Sequence, residues 1–465
     1  MKKNNILTTA SFLYFKEETP NEHLNSIALI KCWISRFELL EKLFIINKMD
    51  DKRKEEISFT LELINDSRDP EDSYELCILE NEIYVAASSI SGLCYGIQEI
   101  VSEHNKHGFL PLQHSFNRPQ LKERSLMLDI GRKFYSKKWI LRLIDEMANL
   151  KMNTLQLHFS DNEGFRIETN SFPEIVSPKY LTKLEVREII VYAQKRFIQI
   201  IPELDSPGHL KNFLKIYPEW RLERMGEYNE YIDHRALDIT NDEAVEAVKK
   251  LLNEFFELFY DSSYFHIGAD EFIDFEKLDD YPKLKKIAQK KYGLSATAID
   301  LYVEYTNDLI DSVKSAGFTP RVWSDGFYRK NQAQIVELSR ETQVSYWTRW
   351  NKNMASIHKY IELGYEIINF NDNYLYFVLG EAAGYQYPTE NKIMEEWEIV
   401  DFPNRQKLSE EYLKKIIGTS FAIWGDIPAA LTEEQVMEKV IGPLRAMNNK
   451  IWMKLQINKV GVGKC

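Results

Sequence analysis

The sequence predicts a (β/α)8 (TIM) barrel, an α/β fold, preceded by a small α/β accessory domain. Two observations lead to this prediction: after residue 118 short apolar strands alternate with amphipathic helices, and the strands number eight. The 465 residues, 44% of them hydrophobic, are enough for a large core and too many for one small domain. The strand candidates are 124–130, 153–159, 197–204, 264–268, 320–324, 343–347, 366–370 and 419–424.

The accessory domain is predicted over residues 1–118, and the catalytic barrel over residues 119–465. The first part combines strand-like pieces, such as 75–87, with a helical stretch at 91–104. Between most barrel strands lies a helix-like segment. The segment at 136–151 has apolar residues three and four apart, which is the spacing of one helix face.

Charge and composition limit the partners. The net charge of −12 and the pI near 5.5 exclude nucleic acid and an anionic membrane surface, because both would repel the chain. No run of about twenty apolar residues occurs, so no membrane span is predicted. Homodimerisation is left open.

The apolar stretch at 6–15 follows two lysines, as in a signal peptide, but threonines and a serine interrupt it and no small-residue cleavage site follows. We interpret it as a strand and predict a cytoplasmic protein. The cysteines are far apart and lack CxxC spacing, so reduced thiols are predicted for Cys32, Cys77, Cys94 and Cys465.

Polar and aromatic residues follow the predicted strands, where the chemistry of such barrels lies. Aromatic rings stack on the C–H face of a pyranose, while carboxylates and arginine bind its hydroxyls, so these residues indicate a sugar pocket. In strand order they are Arg132; His158 and Asp161; Glu203, Asp205 and His209; Asp270 and Glu271; Trp323 and Asp325; Trp347; Asn371, Asp372 and Tyr374; Trp424 and Asp426.

The adjacent acids Asp270 and Glu271, in HIGADE at 266–271, are the predicted catalytic pair. Successive side chains near a strand point in different directions, so the two acids cannot serve the same atom. Two like charges held close raise the proton affinity of at least one, as a general acid near neutral pH requires. Glu271, with the longer side chain, is predicted to carry the proton.

Structural explanations compete with these functions. Each tryptophan taken alone could be a core residue, Arg132 could pair with Asp129 to hold the rim, and His209 could be structural. His158 and His266 are predicted to be buried hydrogen-bonding residues. A metal could in principle bind His158, Asp161, Glu203, Asp205 and His209, but no HxH or HExxH spacing supports it, so neither metal nor cofactor is predicted.

The chain resembles the β-N-acetylhexosaminidases of glycoside hydrolase family 20 over roughly residues 75–450. The resemblance depends on several motifs in the right order at successive strand ends. They are DIGR at 129–132, LHFSDNEGFRIE at 157–168, PELDSPGH at 202–209, HIGADE at 266–271, VWSD at 322–325 and AIWGD at 422–426.

The resemblance implies substrate-assisted retention, in which the sugar's own 2-acetamido oxygen attacks the anomeric carbon. Glu271 would then be the general acid and later the base, and Asp270 would hold the acetamido N–H. The remaining implied roles are hydroxyl binding by Arg132 and Asp426, pocket walls from Trp323, Trp347 and Trp424, a hydrogen bond from Tyr374 to the acetamido carbonyl, and tuning of Glu271 by Asp161 and His209.

The local string around Tyr374 departs from the family pattern, because Tyr376 stands where an aspartate is common and Asp372 is one candidate to replace it. Asp426 is shorter than the frequent glutamate. The resemblance predicts an exo-acting enzyme that removes terminal β-linked N-acetylglucosamine or N-acetylgalactosamine from oligosaccharides or glycoconjugates. The alternatives are a lacto-N-biosidase-like enzyme that releases a disaccharide and a catalytically silent sugar-binding protein.

Overall fold

The computed structural model describes residues 11–16, 29–30, 33–34, 36, 44–46, 58–64, 70–80, 82–225 and 230–457. The chain divides into two compact units. The first comprises residues through Lys122, residues 195–197 and the segment from Asn448 onward. The second comprises Glu123–Gln194 and Ile198–Met447.

The described residues of the first unit include a seven-stranded mixed sheet and the long helix Ile90–His107. This composition agrees with the predicted α/β accessory domain. The predicted strand region 75–87 is an antiparallel pair, and the helix predicted at 91–104 is Ile90–His107, which begins at the N-cap Ser89 and ends at Gly108. The strands, in sheet order, are Phe44–Ile46, Ser11–Lys16, Ser58–Leu63, Glu82–Ala87, Tyr74–Ile78, Gln113–Pro119 and Trp452–Gln456. The interpretation of the N-terminal apolar stretch as a strand agrees with Ser11–Lys16.

Two predictions about this unit need correction. Its boundary falls at Lys122 rather than 118, and the end of the chain belongs to it, because Trp452–Gln456 pairs antiparallel with Gln113–Pro119. A sequence shows a strand but not its distant partner, so the sequence alone places this strand in the barrel. Cys77 is disulfide-bonded, so the expectation of reduced thiols is wrong for this residue, and the cysteines no longer favour a cytoplasmic location.

The second unit is the closed barrel of eight parallel strands that the sequence predicts. The ring is complete because the seventh strand pairs with the eighth and the eighth with the first. Each predicted strand is present, with ends that differ by at most three residues. We number them β1 Glu123–Asp129, β2 Thr154–His158, β3 Gln199–Ser206, β4 Tyr264–Gly268, β5 Thr319–Trp323, β6 Gln343–Tyr346, β7 Ile367–Asn369 and β8 Ile416–Trp424.

Helices connect most of the strands. Lys137–Asn149, after β1, begins at the N-cap Ser136 and buries Trp139, Ile140, Leu143, Ile144 and Met147, the apolar face that the sequence predicts. Residues 324–342, all described, form no helix, so β5 is joined to β6 by a loop. The other α-helices of eleven or more residues are Lys183–Gln194, Asp242–Leu258, Pro282–Tyr292, Ala298–Ser315 and Glu433–Ile451; shorter ones are Lys211–Ile216, Ile357–Glu362 and Glu390–Glu396.

The two ends of the barrel interior differ in chemistry. Near the N-terminal ends of the strands, Arg321 of β5 makes two hydrogen bonds to the Glu123 carboxylate of β1, at 2.9 and 2.6 Å, and both side chains are buried. The polar residues that the sequence places after the strands lie at the opposite end. Within the described part of the chain, no helix is long and apolar enough to cross a membrane.

Candidate active site

The predicted catalytic pair lies on a sharp corner at the end of β4. Gly268 (φ 71°), Ala269 (φ 74°) and Glu271 (φ 45°) all have left-handed backbone conformations. A Cβ atom on Gly268 would lie 1.7 Å from Asp205 Oδ1, so only glycine fits there. The corner is held because the Ala269 N–H donates to Asp205 Oδ1 and the Glu271 N–H donates to Asp325 Oδ2, each over 3.1 Å. The two carboxylates consequently point to different depths.

A cavity of about 290 Å³ opens at this end of the barrel. Its lining residues form a gradient of burial from floor to mouth. The floor consists of His209, Asp270, Trp323, Tyr376 and Val378; the half-buried walls are Arg132, Trp347, Tyr385 and Trp424; the exposed mouth consists of Glu271, Trp350, Ala383 and Asp426.

Asp270 lies on the cavity floor beside His209 and Asp205. Its side chain is 11% exposed, and its Oδ2 lies 3.5 Å from His209 Nε2. Burial raises the pKa of this carboxyl, and the neighbouring Glu271 raises it further, whereas a hydrogen bond from Asp205 lowers it. Tyr376, also on the floor, is 4% exposed, and its hydroxyl lies near the indole of Trp424. Asp270 and Tyr376 therefore place a carboxylate and a hydroxyl on the same cavity floor.

Glu271 lies at the mouth, with 44% of its side chain exposed. Its Oε2 is 3.5 Å from His209 Nε2, while His209 Nδ1 is 3.2 Å from Asp161 Oδ1. Burial opposes a charge on His209, but Asp161 and Asp270 outweigh it and hold the pKa of the imidazole well above its usual value. The predicted tuning pair is therefore assembled.

The direction of the tuning differs from the expectation. A hydrogen bond from His209 lowers the pKa of Glu271, and Asp270 is the acid whose pKa is raised. The idea that one acid of the pair gains proton affinity is correct. The expectation that this acid is Glu271 is wrong for the protein without substrate, because the hydrogen bond and the charge of His209 outweigh desolvation, which by itself would raise the pKa of Glu271.

Histidines and carboxylates also alternate below the cavity floor, where the row begun by His209 and Asp161 continues to His158 and Glu203. His158 Nε2 lies 3.0 Å from Asp161 Oδ2, and its Nδ1 lies 3.1 Å from Glu203 Oε2. Despite burial, His158 and His266 hold the pKa of Glu203 down at about 2. The prediction of buried hydrogen-bonding histidines is confirmed for both residues, since His266 Nε2 is 3.1 Å from the Ser345 hydroxyl.

Arg132 both forms ion pairs at the barrel rim and lines the cavity. Its guanidinium bonds Asp129 and Asp161, each over 2.9 Å, so the alternative of a rim ion pair is correct. It nevertheless lines the cavity, with Cζ 5.3 Å from the centre of the Trp424 ring. Burial lowers the pKa of this group, but Asp161, Asp129 and Asp426 outweigh it, so the charge is permanent.

The three predicted tryptophans are fixed by their own hydrogen bonds and contacts. Trp323 Nε1 donates to Glu203 Oε1 over 2.7 Å, and Trp347 Nε1 donates to Asp325 Oδ1 over 3.0 Å. The ring of Trp424 lies 5.9 Å from that of Trp323. Three flat indoles therefore surround one cavity that also contains carboxylates and an arginine.

Comparison with known proteins identifies the family of this fold and site. Residues 122–454 match the family described as glycosyl hydrolase family 20, catalytic domain. The chain belongs to this family. It is therefore a glycoside hydrolase.

The curated relatives are longer proteins. A lacto-N-biosidase of Bifidobacterium bifidum is 27% identical over 419 residues, which cover 87% of this chain but only 36% of that protein. The β-hexosaminidase subunit beta of Entamoeba histolytica is 23% identical over 407 residues, or 82% of this chain and 69% of the relative. A β-hexosaminidase of Vibrio furnissii is 30% identical over 237 residues, which cover 44% of this chain and 38% of that one.

Solved family 20 structures share the fold. A β-N-acetylhexosaminidase of Bacteroides fragilis superposes with a TM-score of 0.73 at 22% identity, covering 95% of this chain and 86% of its own. An exo-β-N-acetylglucosaminidase of Vibrio harveyi, solved with N-acetylglucosamine, gives a TM-score of 0.70 at 20% identity, covering 95% and 70%.

One site prediction from the family pattern is wrong. Tyr374 does not line the cavity; its ring lies 5.2 Å from Lys392 Nζ. Tyr376 lines the cavity instead, because Tyr376–Val378 forms an additional strand beside β8 and the alternation along it turns Tyr376 and Val378 to the same side. The ring of Tyr376 is parallel to that of Trp347, with centroids 5.9 Å apart.

Asp372 does not replace the missing aspartate at the cavity surface. Its Oδ2 accepts hydrogen bonds from Thr348, over 2.6 Å, and from the hydroxyl of Tyr385, over 3.1 Å. Burial raises the pKa of Asp372 to about 6. Asp372 thus fixes Tyr385, a wall residue that sequence reasoning missed. Trp350, also missed, follows Trp347 by three residues, so the spacing of the two tryptophans was the available signal.

Two clusters in this region have the composition of metal sites. The ligand atoms of His158, Glu203 and Asp205, and those of Asp205, His209 and Asp270, lie within 4.8 Å of one another. A metal needs neutral imidazole, however, and the carboxylates around His158 and His209 hold the pKa of both rings well above the usual value. The residues therefore fit a metal poorly, and its absence stays a prediction.

Proposed function

We propose that this glycoside hydrolase is an exo-acting, retaining β-N-acetylhexosaminidase that uses the 2-acetamido group of its substrate as the nucleophile. One observation carries the proposal. The cavity floor combines a buried carboxylate, that of Asp270, with a buried hydroxyl, that of Tyr376. An amide offers one N–H and one C=O, so an acetamido group can donate to the carboxylate and accept from the hydroxyl.

The apolar part of the floor suits the same group. Trp323 and Val378 are 1% and 3% exposed and lie beside the two polar groups in the cavity lining. In the proposed complex they surround the acetamido methyl group. A sugar with a free hydroxyl at C2 would not make both hydrogen bonds to Asp270 and Tyr376, and the loss of hydrogen bonds to buried polar groups gives strong discrimination.

The chemistry proceeds in two balanced steps. The acetamido oxygen attacks the anomeric carbon, the bond from that carbon to the leaving oxygen breaks, and Glu271 gives its proton to this oxygen. Asp270 accepts the acetamido N–H and stabilises the positive charge of the oxazolinium ring. Water then attacks the anomeric carbon, Glu271 takes a proton from it, and the ring opens with net retention.

Substrate binding would bring both acids into the states that the reaction needs. A sugar that displaces water from the mouth raises the pKa of Glu271, because a desolvated carboxylate favours its neutral form. The acetamido N–H stabilises the ionised form of Asp270 and lowers its pKa. The directions of the two pKa shifts in the free enzyme, raised for Asp270 and lowered for Glu271, are thereby reversed.

Release of one sugar is favoured over release of two. The cavity volume of about 290 Å³ is at the lower end of the range of about 300–1,000 Å³ for small-molecule pockets. Arg132 is fixed at its wall by two ion pairs and stands where the hydroxyls of a terminal sugar would lie. The lacto-N-biosidase relative makes disaccharide release the competing outcome of the test.

The function is tested by hydrolysis of the 4-nitrophenyl β-glycosides of N-acetylglucosamine, N-acetylgalactosamine, glucose and lacto-N-biose, with and without a thiazoline mimic of the oxazolinium ion. We expect cleavage of the two N-acetylhexosaminides and inhibition by the thiazoline. Cleavage of the glucoside, or no effect of the thiazoline, would contradict substrate assistance. Cleavage of the lacto-N-bioside alone would replace exo-hexosaminidase activity by disaccharide release.

Two variants separate the roles of the acids. Glu271→Gln should lower kcat/KM for oligosaccharides by about 10²–10⁴-fold, since general acid catalysis is lost, but much less for the β-fluoride of N-acetylglucosamine, whose leaving group needs no proton for the first step. Asp270→Asn should impair both substrates. Equal losses on both substrates in the Glu271 variant would argue against its role as the acid.

A further inference from the structure

We propose that Trp350 forms a platform for the sugar of the leaving group, so that the enzyme prefers N-acetylhexosamine linked to another pyranose over small aglycones. This inference rests on the proposed function and extends it to the substrate class. It is drawn from the depth of the cavity residues, the order of the strands and the bonding of one loop.

Glu271 and Trp350 lie at the same depth, at the mouth of the cavity. The proton donor Glu271 is exposed at the mouth, so the glycosidic oxygen that it protonates lies there and the leaving group extends outward from it. The described residues that line the mouth include a single aromatic side chain, that of Trp350, which is 69% exposed. The other aromatic residues of the lining belong to the walls and floor.

Glu271 and Trp350 also lie on the same side of the barrel. Glu271 follows β4 and Trp350 follows β6, and only β5 separates these strands. Arg132 follows β1 and Asp426 follows β8, which pair with each other on the other side of the barrel. A sugar that places its outer hydroxyls toward Arg132 and Asp426 therefore directs its leaving group toward the half of the mouth that contains Glu271 and Trp350.

Hydrogen bonds fix the segment 348–354, which carries Trp350, although the indole itself is exposed. Thr348 donates to Asp372, and Asn353 Nδ2 donates to Glu276 Oε2 over 2.8 Å. The Asn353 carbonyl accepts the Lys330 N–H over 2.7 Å. What distinguishes Trp350 from other exposed apolar side chains is that this ordered loop presents its indole at the mouth of the cavity that contains Glu271.

The chemistry of an indole then selects the ligand. A flat aromatic face packs against the C–H face of a pyranose, whereas small or strongly hydrated leaving groups cannot cover it. A preformed loop loses little conformational entropy on binding. The expected benefit is therefore confined to substrates with a sugar on the leaving side.

The test compares two substrates in wild type and in Trp350→Ala. One is the β1,3- or β1,4-linked disaccharide of N-acetylglucosamine, whichever is cleaved faster, and the other is the β-fluoride of N-acetylglucosamine, whose leaving atom cannot reach Trp350. We expect kcat/KM for the disaccharide to fall at least about tenfold and that for the fluoride to change less than about twofold. Trp350→Phe should retain most of the disaccharide activity.

Tyr260→Ala is the matched control, because Tyr260 is 67% exposed and precedes β4 at the other end of the barrel. It should change neither substrate. Equal losses for both substrates in Trp350→Ala, or no loss for the disaccharide, would overturn the inference. Wild-type cleavage of the fluoride with no cleavage of either disaccharide would also overturn it while sparing the proposed function. Absence of all hydrolysis by wild type would overturn both.

Discussion

At the scale of single residues, the active-site acids show how two neighbours in sequence acquire opposite properties. Asp270 is buried and its pKa rises, whereas Glu271 is exposed beside His209 and its pKa falls. The left-handed backbone at Glu271 separates the two side chains in depth. Burial of Asp270 and the hydrogen bond from His209 to Glu271, more than the repulsion between the two carboxylates, shift the two pKa values in opposite directions before substrate binds.

Asp205 offers a test of this balance. Burial, reinforced by Asp270, raises the pKa of Asp205 well above its usual value, and a hydrogen bond from Asp205 lowers the pKa of Asp270. The reaction needs ionised Asp270, so activity is present above the pKa of Asp270 and is lost as the pH falls through it. Asp205→Ala should therefore move the acid limb of kcat/KM to higher pH and cost about tenfold at the acid end, since hydrogen bonds to charged groups contribute about 1.5–3 kcal/mol.

Asp205→Asn is the control, because its amide can donate to Asp270 while its oxygen still accepts the Ala269 N–H. Its pH profile should match that of wild type. The pH dependence of kcat/KM, measured on the fluoride, checks both variants. A shift of the acid limb to lower pH in Asp205→Ala would contradict the assignment.

At the scale of elements, the corner after β4 links packing to catalysis. Gly268→Ala would place a Cβ atom 1.7 Å from Asp205 Oδ1 in a left-handed conformation. We expect destabilisation of more than about 4 kcal/mol or loss of soluble protein, because clash and backbone strain act together. Urea unfolding monitored by circular dichroism measures the effect.

Gly317→Ala separates strain from clash. Gly317 also has a left-handed conformation, with φ 93°, but nothing lies within 4 Å of the position that a Cβ atom would take there. The cost of this substitution should be about 1 kcal/mol, with unchanged KM. Similar losses of stability in the two variants would show that contact with Asp205 does not determine the choice of glycine at 268.

At the scale of the whole barrel, the ion pair between Arg321 and Glu123 connects β5 to β1 through the interior. Both side chains are buried, so removal of one partner leaves an uncompensated charge. Arg321→Met should lower the free energy of unfolding by about 3–5 kcal/mol, whereas Arg321→Met combined with Glu123→Leu should recover most of it. Chemical denaturation of the two variants provides the comparison.

The same variants test whether this ion pair affects stability without affecting substrate binding and catalysis. Glu123 is the first residue of β1, and the catalytic residues follow the opposite ends of the strands. The KM of the folded double variant should therefore equal that of wild type. A large change in KM would mean that the interior couples the two ends of the barrel.

Local signals in the sequence were sufficient to predict the eight strands, their order and the rim on which chemistry lies, because periodicity and the residues after each strand can be seen without knowing the fold. The same signals placed Asp270, Glu271, Arg132 and the three tryptophans of the pocket. Residues within local motifs could therefore be assigned to the correct end of the barrel from the sequence alone.

Only the folded structure shows how deep each side chain lies in the cavity, which hydrogen bonds it makes and in which direction its pKa is shifted. The fold replaced Tyr374 by Tyr376, because an additional strand beside β8 sets which side chains face the cavity. It brought Trp350 and Tyr385 to the same cavity from separate loops. It also assigned the raised pKa to Asp270 rather than Glu271, since burial and contact with His209 arise only when distant segments meet.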